Sequence, residues 1–271
     1  MRIVGLDTWT VSVPYLHDEI SSRVARSGVT DTIVRLTADN GLTGWGECCS
    51  GPDAASIEQA VQSARPFVLG RDPWQSEAMA RDFFRTALWD HRAPSGNFAF
   101  AGIDQALWDL CGKECGQPLY RLFGGSLRDE VDYFYYLARG SSEEIVRQAA
   151  DGVGRGYSCF YLKVGLDERA ETEMLAALRS AIGPARKIRV DANQAWNVPQ
   201  AVRLLTRWND EVGLDFAEAP VPIDPVENMR ELRAKVPVAL CANEGLSRAE
   251  DCMRVIRSNS SAQRYPARLP S

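Results

Sequence analysis

Four short apolar runs each end on a residue that can do chemistry, and the endings recur at nearly constant spacing. YSCFYLK closes on Lys163, KIRVD on Asp191, GLDFAE on Glu218 and VPVALCANE on Glu244, at intervals of 28, 27 and 26 residues. Such an interval accommodates one strand, one helix and their turns. Repeated, it predicts parallel strands joined by crossover helices. All strands of such a sheet deliver their C-terminal ends to one rim, where barrel enzymes build their sites. Three acidic groups gathered there can hold a hard divalent cation through oxygen, and a lysine beside them can move a proton.

The repeat occupies only the second half of the chain. Residues 1–50 hold three alternating segments, IVGLDTWTVSV, DTIVRLTAD and LTGWGECC, and the Asn40-Gly41 step between the last two signals a hairpin turn. Apolar residues at helical spacing follow over 56–68, 75–89 and 98–115, so this part reads as a small antiparallel sheet packed on helices. From about residue 131 strands and helices alternate. DYFYYL precedes Ser141 and Glu144, a capping box for a helix over 142–154. Further helices are expected over 168–182, 198–210, 225–234 and 248–257. No Gly-rich phosphate fingerprint follows any strand, which counts against a dinucleotide fold.

The fold class expected is α/β: an α+β capping domain over 1–125 and an incomplete (β/α) barrel over 126–257, with an irregular tail over 258–271. Five βα units do not close a barrel of eight, so the chain reads as a shortened version of a longer one, its sheet edges inviting self-association. A net charge of −5 and a pI near 5.3 argue against nucleic acid or an anionic membrane surface as partner. No apolar run approaches the ~20 residues that cross a bilayer. Seven scattered cysteines suit reduced thiols in the cytoplasm, with Cys111 and Cys115 read as helix packing rather than zinc ligands.

Several motifs stand in an order that resembles the mandelate racemase/muconate lactonizing enzyme family of the enolase superfamily. The resemblance covers residues 1 to about 257. Its most specific element is Ala101-Gly-Ile-Asp-Gln-Ala-Leu-Trp-Asp-Leu-Cys-Gly-Lys113, followed by Gly116-Gln-Pro-Leu-Tyr-Arg-Leu-Phe-Gly-Gly125. Gly44-Trp-Gly-Glu47 resembles the cap-sheet motif, and Tyr161-Leu-Lys163 the K-x-K segment that ends the second barrel strand. Val190-Asp191-Ala-Asn193 and Glu218-Ala-Pro220 resemble the first two metal-ligand motifs.

The resemblance implies divalent-metal-dependent abstraction of the proton alpha to a substrate carboxylate, with Lys163 as acid/base, Asp191, Glu218 and Glu244 as ligands, and Mg²⁺, or Mn²⁺ in its place. The partner expected is a small carboxylate substrate, worked on by a homo-oligomer. Racemisation or epimerisation, dehydration and cycloisomerisation all begin with this step. This sequence departs from the pattern at Tyr161, which stands where the family carries its first lysine. The third motif, Ala242-Asn243-Glu244-Gly245, leaves Asn243 and Glu244 as alternative ligands; a third carboxylate neutralises a cation better than an amide. Asn193 shares the strand face of Asp191 and is a candidate substrate or ligand contact. His17 lies in PYLHDE, read as a polar loop where the family places a lid, and His91 reads as a turn or capping residue. With two histidines in all, no imidazole is expected as a barrel base. The competing expectation is a catalytically inactive fragment or an Mg²⁺-dependent carboxylate-binding module.

Overall fold

A computed structural model describes residues 1–49, 53–86 and 95–258. His91 and the tail beyond Ser258 lie outside the described residues. The chain forms two compact units, one of Met1–Tyr15 with Gly28–Glu130, the other of Leu16–Ser27 with the residues from Val131 onward.

β1 (Ile3–Ile20), β2 (Ala25–Ala38) and β3 (Thr43–Cys48) form one sheet in the order β1-β2-β3, which belongs to the first unit except at the β1–β2 tip, Leu16–Ser27. β2 and β3 pair antiparallel across the Asn40-Gly41 turn, Thr37 opposite Thr43 and Arg35 opposite Trp45. The helices are α1 (Ala54–Ser63), α2 (Arg65–Val68), α3 (Ser76–Thr86), α4 (Ser95–Cys115) and α5 (Leu119–Leu122). The helix expected over 56–68 is thus broken at Ala64, where Pro66 cannot donate to the preceding turn. Ile3, Leu6, Val34 and Leu36 from the sheet are buried with Ile57, Phe83, Ile103 and Leu107 from the helices.

The Gly-Trp-Gly-Glu motif has a packing cause. A Cβ on Gly46 would stand 1.9 Å from the Gly102 carbonyl oxygen, and one on Gly44 2.1 Å from that of Ala106, so α4 lies directly against β3. β3 ends the sheet, and α4 covers its free edge with side chains one turn apart. Asp109 accepts from the Trp45 N–H at 2.9 Å, Gln105 from that of Glu47 at 3.2 Å, and Lys113 donates to the Thr43 carbonyl at 2.7 Å. The Asp109–Lys113 ion pair, 2.6 Å, belongs to this seam. Trp45 itself is exposed and stacks on Trp9 at 5.7 Å rather than entering the core.

The second unit carries a five-stranded sheet in sequence order, β4 (Tyr135–Leu137), β5 (Cys159–Lys163), β6 (Lys187–Asp191), β7 (Phe216–Glu218) and β8 (Ala239–Cys241), every adjacent pair parallel. The crossovers are α6 (Ser142–Gly154), α7 (Glu168–Ile182), α8 (Val198–Val212) and α9 (Glu227–Lys235), and α10 (Ala249–Arg257) follows β8. Each helix turns an apolar stripe inward: Met174, Leu175 and Leu178 of α7 and Leu204, Leu205 and Trp208 of α8 join Leu162, Val190 and Leu240 in one core. Ser141 and Glu144 form the expected capping box, and Asp167 and Asn197 cap α7 and α8. The caps are therefore separate residues, which leaves Asp191 and Glu218 free of that duty.

One sequence expectation fails locally. PYLHDE is not a loop: β1 runs on through Ile20, so His17 sits on a strand. Pro14 lies in β1, an edge strand, which is where a sheet accommodates proline.

Candidate active site

Strand register brings Lys163, Asp191 and Glu218 to one rim, whereas Glu244, expected at a strand end, lies in the segment after β8, whose Cys241 is opposite Glu218. Lys163 is opposite Asp191, and Asp191 is opposite Glu218, so the three occupy consecutive positions on one rung across β5, β6 and β7. Paired positions in neighbouring strands project to the same face. Tyr161, two residues before Lys163, shares that face and faces Arg189 in the register.

A continuous chain of hydrogen bonds links the acids. The Tyr161 hydroxyl lies 2.7 Å from Asp191 Oδ2 and 3.1 Å from Glu218 Oε2, between the two carboxylates. Lys163 Nζ donates to Asp191 Oδ2 at 2.5 Å and to Asn193 Oδ1 at 3.0 Å. Asn193 Nδ2 donates in turn to Glu244 Oε1 at 2.9 Å. Asp191 is fully buried, and its Oδ1 accepts the Asn193 N–H at 2.8 Å. The Tyr161 ring is stacked between Phe134, 4.6 Å away, and Tyr136, 5.9 Å away, which fixes where its hydroxyl points.

Crowded carboxylates show in the electrostatics. Burial, with the charge of Asp191 adding to it, raises the Glu218 carboxyl above its ordinary range, against the opposing pull of the Tyr161 hydrogen bond and the Lys163 charge. Burial and the Asp191 charge push the Tyr161 phenol far up, so it remains a hydrogen-bond donor.

Asn193 reaches Lys163 and Glu244 because the chain turns sharply after β6. Asn193 and Gln194 adopt left-handed φ of 47° and 63°, and Ala219, after Glu218, has φ 38°. Residues with a Cβ hold such conformations only where surroundings impose them, and they cluster at functional sites. Here the Gln194 N–H donates to the Ala219 carbonyl at 2.6 Å and the Gln194 side chain accepts the Ile223 N–H at 3.2 Å, tying the two turns together.

The donor chemistry suits a hard divalent ion: three carboxylates, and a buried Glu244 Oε2 with no hydrogen-bond partner. Among the described residues no three acidic, thiol or imidazole groups close on one point. The Tyr161 hydroxyl and the Lys163 ammonium stand between the acids instead. Asn243 is exposed, while the adjacent Glu244 turns toward the cluster. His17 is exposed and makes no hydrogen bond to these groups. Sequence reasoning did not anticipate Gln194, whose role depends on a backbone turn, nor Glu171. The Glu171 side chain is buried at the start of α7, where it accepts the N–H groups of Gly165, Leu166 and Asp167 and pairs with Arg139 at 2.7 Å.

Residues 10–124 match the mandelate racemase / muconate lactonizing enzyme N-terminal domain, and residues 144–262 match the enolase C-terminal domain-like family. The L-Ala-D/L-Glu epimerase of Bacillus subtilis is 28% identical over 268 residues, spanning 96% of this chain and 71% of that enzyme. A substrate-liganded structure of that epimerase superposes with a TM-score of 0.87 at 27% identity, covering 96% and 73% of the two chains. The N-succinyl Arg/Lys racemase of Bacillus cereus superposes with a TM-score of 0.88 at 26% identity, covering 96% and 71%. The muconate lactonizing enzyme of Pseudomonas fluorescens gives 0.88 at 25% identity, covering 96% and 71%. Both halves of the chain match, and the carboxylate rung lies where a parallel α/β barrel carries its chemistry. The chain belongs to the mandelate racemase/muconate lactonizing enzyme family of the enolase superfamily.

Proposed function

We propose that this chain removes the proton alpha to the carboxylate of a small substrate, with Lys163 as base and with Asp191, Glu218 and Glu244 holding a divalent cation, Mg²⁺ or Mn²⁺. The observation that carries the reading is the unbroken chain of hydrogen bonds from Glu218 through Tyr161, Asp191, Lys163 and Asn193 to Glu244 on one rim. When bound, the cation supplies positive charge to the carboxylate oxygens that become negative as the proton leaves, the arrangement used across the enolase superfamily. Lys163 takes the proton; a positioned base of this kind contributes ~10²–10⁴ in rate. Asn193 orients the Lys163 amine, and Tyr161 keeps Asp191 and Glu218 side by side.

Among the described residues, Lys163 is the one amine hydrogen-bonded to these acids. A single base removes and returns a proton on one face, whereas inversion needs a second acid opposite. The names of the relatives, an epimerase of L-Ala-D/L-Glu and a racemase of N-succinyl-L-Arg/Lys, favour an acylated amino acid or dipeptide as substrate. D-galactonate dehydratase among the relatives keeps hydroxy acids in view. The one-sided placement of Lys163 also favours a second reading, a carboxylate-binding module without turnover.

Deuterium uptake at the alpha carbon of L-Ala-L-Glu, N-succinyl-L-Arg and D-galactonate, followed by NMR in D₂O with Mg²⁺, separates these readings. Uptake by at least one substrate, lost in Lys163→Ala, is expected, as is metal affinity weakened tenfold or more in Asp191→Asn, about the loss of one charged ligand contact. Uptake that survives Lys163→Ala removes the lysine from the reaction. Mg²⁺-dependent ligand binding without uptake selects the binding module.

A further inference from the structure

The strained turn that carries Asn193 is gripped from outside the sheet. The tip of the β1–β2 hairpin meets it: Ser22 Oγ donates to the Ala192 carbonyl at 2.7 Å and approaches that of Asn193 at 3.5 Å, and Arg23 Nε donates to the Asn193 carbonyl at 3.0 Å. Tip and turn both belong to the second unit although 170 residues separate them. These two carbonyls flank the point where the backbone enters the left-handed region.

The tip is built to present those two donors. Ser21 is buried, its N–H donates to the Val24 carbonyl at 2.9 Å, and its hydroxyl accepts the N–H of Arg23 at 3.2 Å and of Val24 at 3.1 Å. A serine hydroxyl used this way closes a tight turn. The third wall of the junction is Gly165, two residues beyond Lys163. A Cβ there would stand 2.5 Å from Ala195 Cβ, 3.1 Å from the Ala192 oxygen and 3.4 Å from Ser22 Cβ. A carbon added at Gly165 would therefore collide with the Asn193 turn, so the segment leaving β5 packs directly against that turn and touches the hairpin tip.

We propose that Ser22 and Arg23 are positioning residues for the proton-transfer site: by holding the carbonyls of Ala192 and Asn193 they keep the Asn193 amide spanning Lys163 and Glu244. The inference rests on the reading of Lys163 as base, so its test includes an arm that needs no substrate. With the grip intact the turn stays left-handed and Asn193 Oδ1 stays on Lys163 Nζ. With the grip removed the turn relaxes toward ordinary backbone, and the amide leaves the lysine.

The experiment compares the full chain with Ser22→Ala, Ser22→Thr, Arg23→Ala and the Ser22→Ala/Arg23→Ala pair. Backbone hydrogen exchange is read over residues 192–196, where the Gln194 and Ala195 N–H groups donate to Ala219 and Ala192. Mg²⁺ alone is titrated by calorimetry. In the pair, exchange over 192–196 is expected to rise about tenfold or more, the equivalent of two lost hydrogen bonds, while peptides of β5 and β6 upstream keep their rates. Ser22→Thr, which retains the hydroxyl, is expected to behave as the parent. Where α-proton turnover is measurable, the pair should lose kcat with KM held. Unchanged exchange over 192–196 in the pair overturns the proposal, and so does a Ser22→Thr variant as perturbed as Ser22→Ala. Because exchange is read without substrate, a parent that shows no turnover counts against the reaction assignment alone.

Discussion

Replacing Glu218 by glutamine is expected to stabilise the metal-free protein and to abolish its stabilisation by Mg²⁺, so that the order of the two proteins reverses on adding the ion. Glu218 Oε2 and Asp191 Oδ2 share one hydroxyl, at 3.1 and 2.7 Å. Two unit charges about 5 Å apart repel by about 3 kcal/mol at an effective dielectric constant near 20. The Lys163 ammonium, 2.5 Å from Asp191, offsets part of this, and Glu218 is partly exposed, so screening reduces it further. About 1–2 kcal/mol remains, or a rise of ~2–6 °C in Tm for a chain of this size. Glutamine keeps a carbonyl to accept from Tyr161, so the substitution removes charge and little else. The sign follows from the raised Glu218 carboxyl: its contribution to stability is full below the ordinary carboxylate range and is lost as pH climbs through the raised value. The advantage of Glu218→Gln should therefore be absent in acid and grow toward neutrality. Adding Mg²⁺ to about 100 times its dissociation constant should stabilise the parent by ~2.7 kcal/mol. Thermal unfolding in EDTA and in Mg²⁺, across pH, reads all of this. A Glu218→Gln protein no more stable than the parent in EDTA at neutral pH would falsify the repulsion, and equal Mg²⁺ stabilisation of both would remove Glu218 from the ligand set.

Two substitutions away from the acids test the scaffold. Gly46→Ala places a carbon 1.9 Å from the Gly102 carbonyl oxygen, backbone that cannot swing aside, and should cost ~2–3 kcal/mol or more in denaturant unfolding; a loss under ~0.5 kcal/mol would mean that α4 does not sit directly on β3. Glu171→Ala strands the N–H groups of Gly165, Leu166 and Asp167 and leaves Arg139 without its partner. The expected cost is ~3–5 kcal/mol, with Glu171→Gln recovering part of it; equal losses in the two variants would show that volume rather than hydrogen bonding matters there.

What the sequence made legible was periodic. Lys163, Asp191 and Glu218 could be placed on one rim because a parallel sheet converts equal spacing along the chain into a shared rung. The capping box of Ser141 and Glu144 is local chemistry, carried by residues three positions apart. The Gly44 and Gly46 pair was visible as a motif, but its cause, the approach of α4, appears only once the helix is in place. The reach of β1 through Pro14 to Ile20 was not legible, since a proline and a run of polar residues read as a loop unless a partner strand is known to lie on one side only. Ser22 and Arg23 carried no signal at all. Their partners are backbone carbonyls 170 residues away, and carbonyls leave no trace in side-chain composition.

Tyr161 is the departure from the family pattern that has the clearest physical consequence. A lysine there would bring a second ammonium among three carboxylates. The tyrosine brings a donor without charge, and burial together with Asp191 holds its proton in place. Formally, the three acids then face one ammonium, leaving two negative charges in excess, the amount a divalent cation neutralises. The phenol hydrogen bonds keep Asp191 and Glu218 adjacent despite their repulsion, and stacking against Phe134 and Tyr136 prevents the ring from turning away. Burial first and the Asp191 charge second raise the Glu218 carboxyl, and the Asp191 part is the portion an incoming cation can relieve. With a neutral bridge in place of a charged one, Lys163 is, among the described residues, the amine hydrogen-bonded to Asp191, and on the proposed reading it would serve both as counter-ion and as proton acceptor, which ties the freedom of the base to whatever else neutralises Asp191.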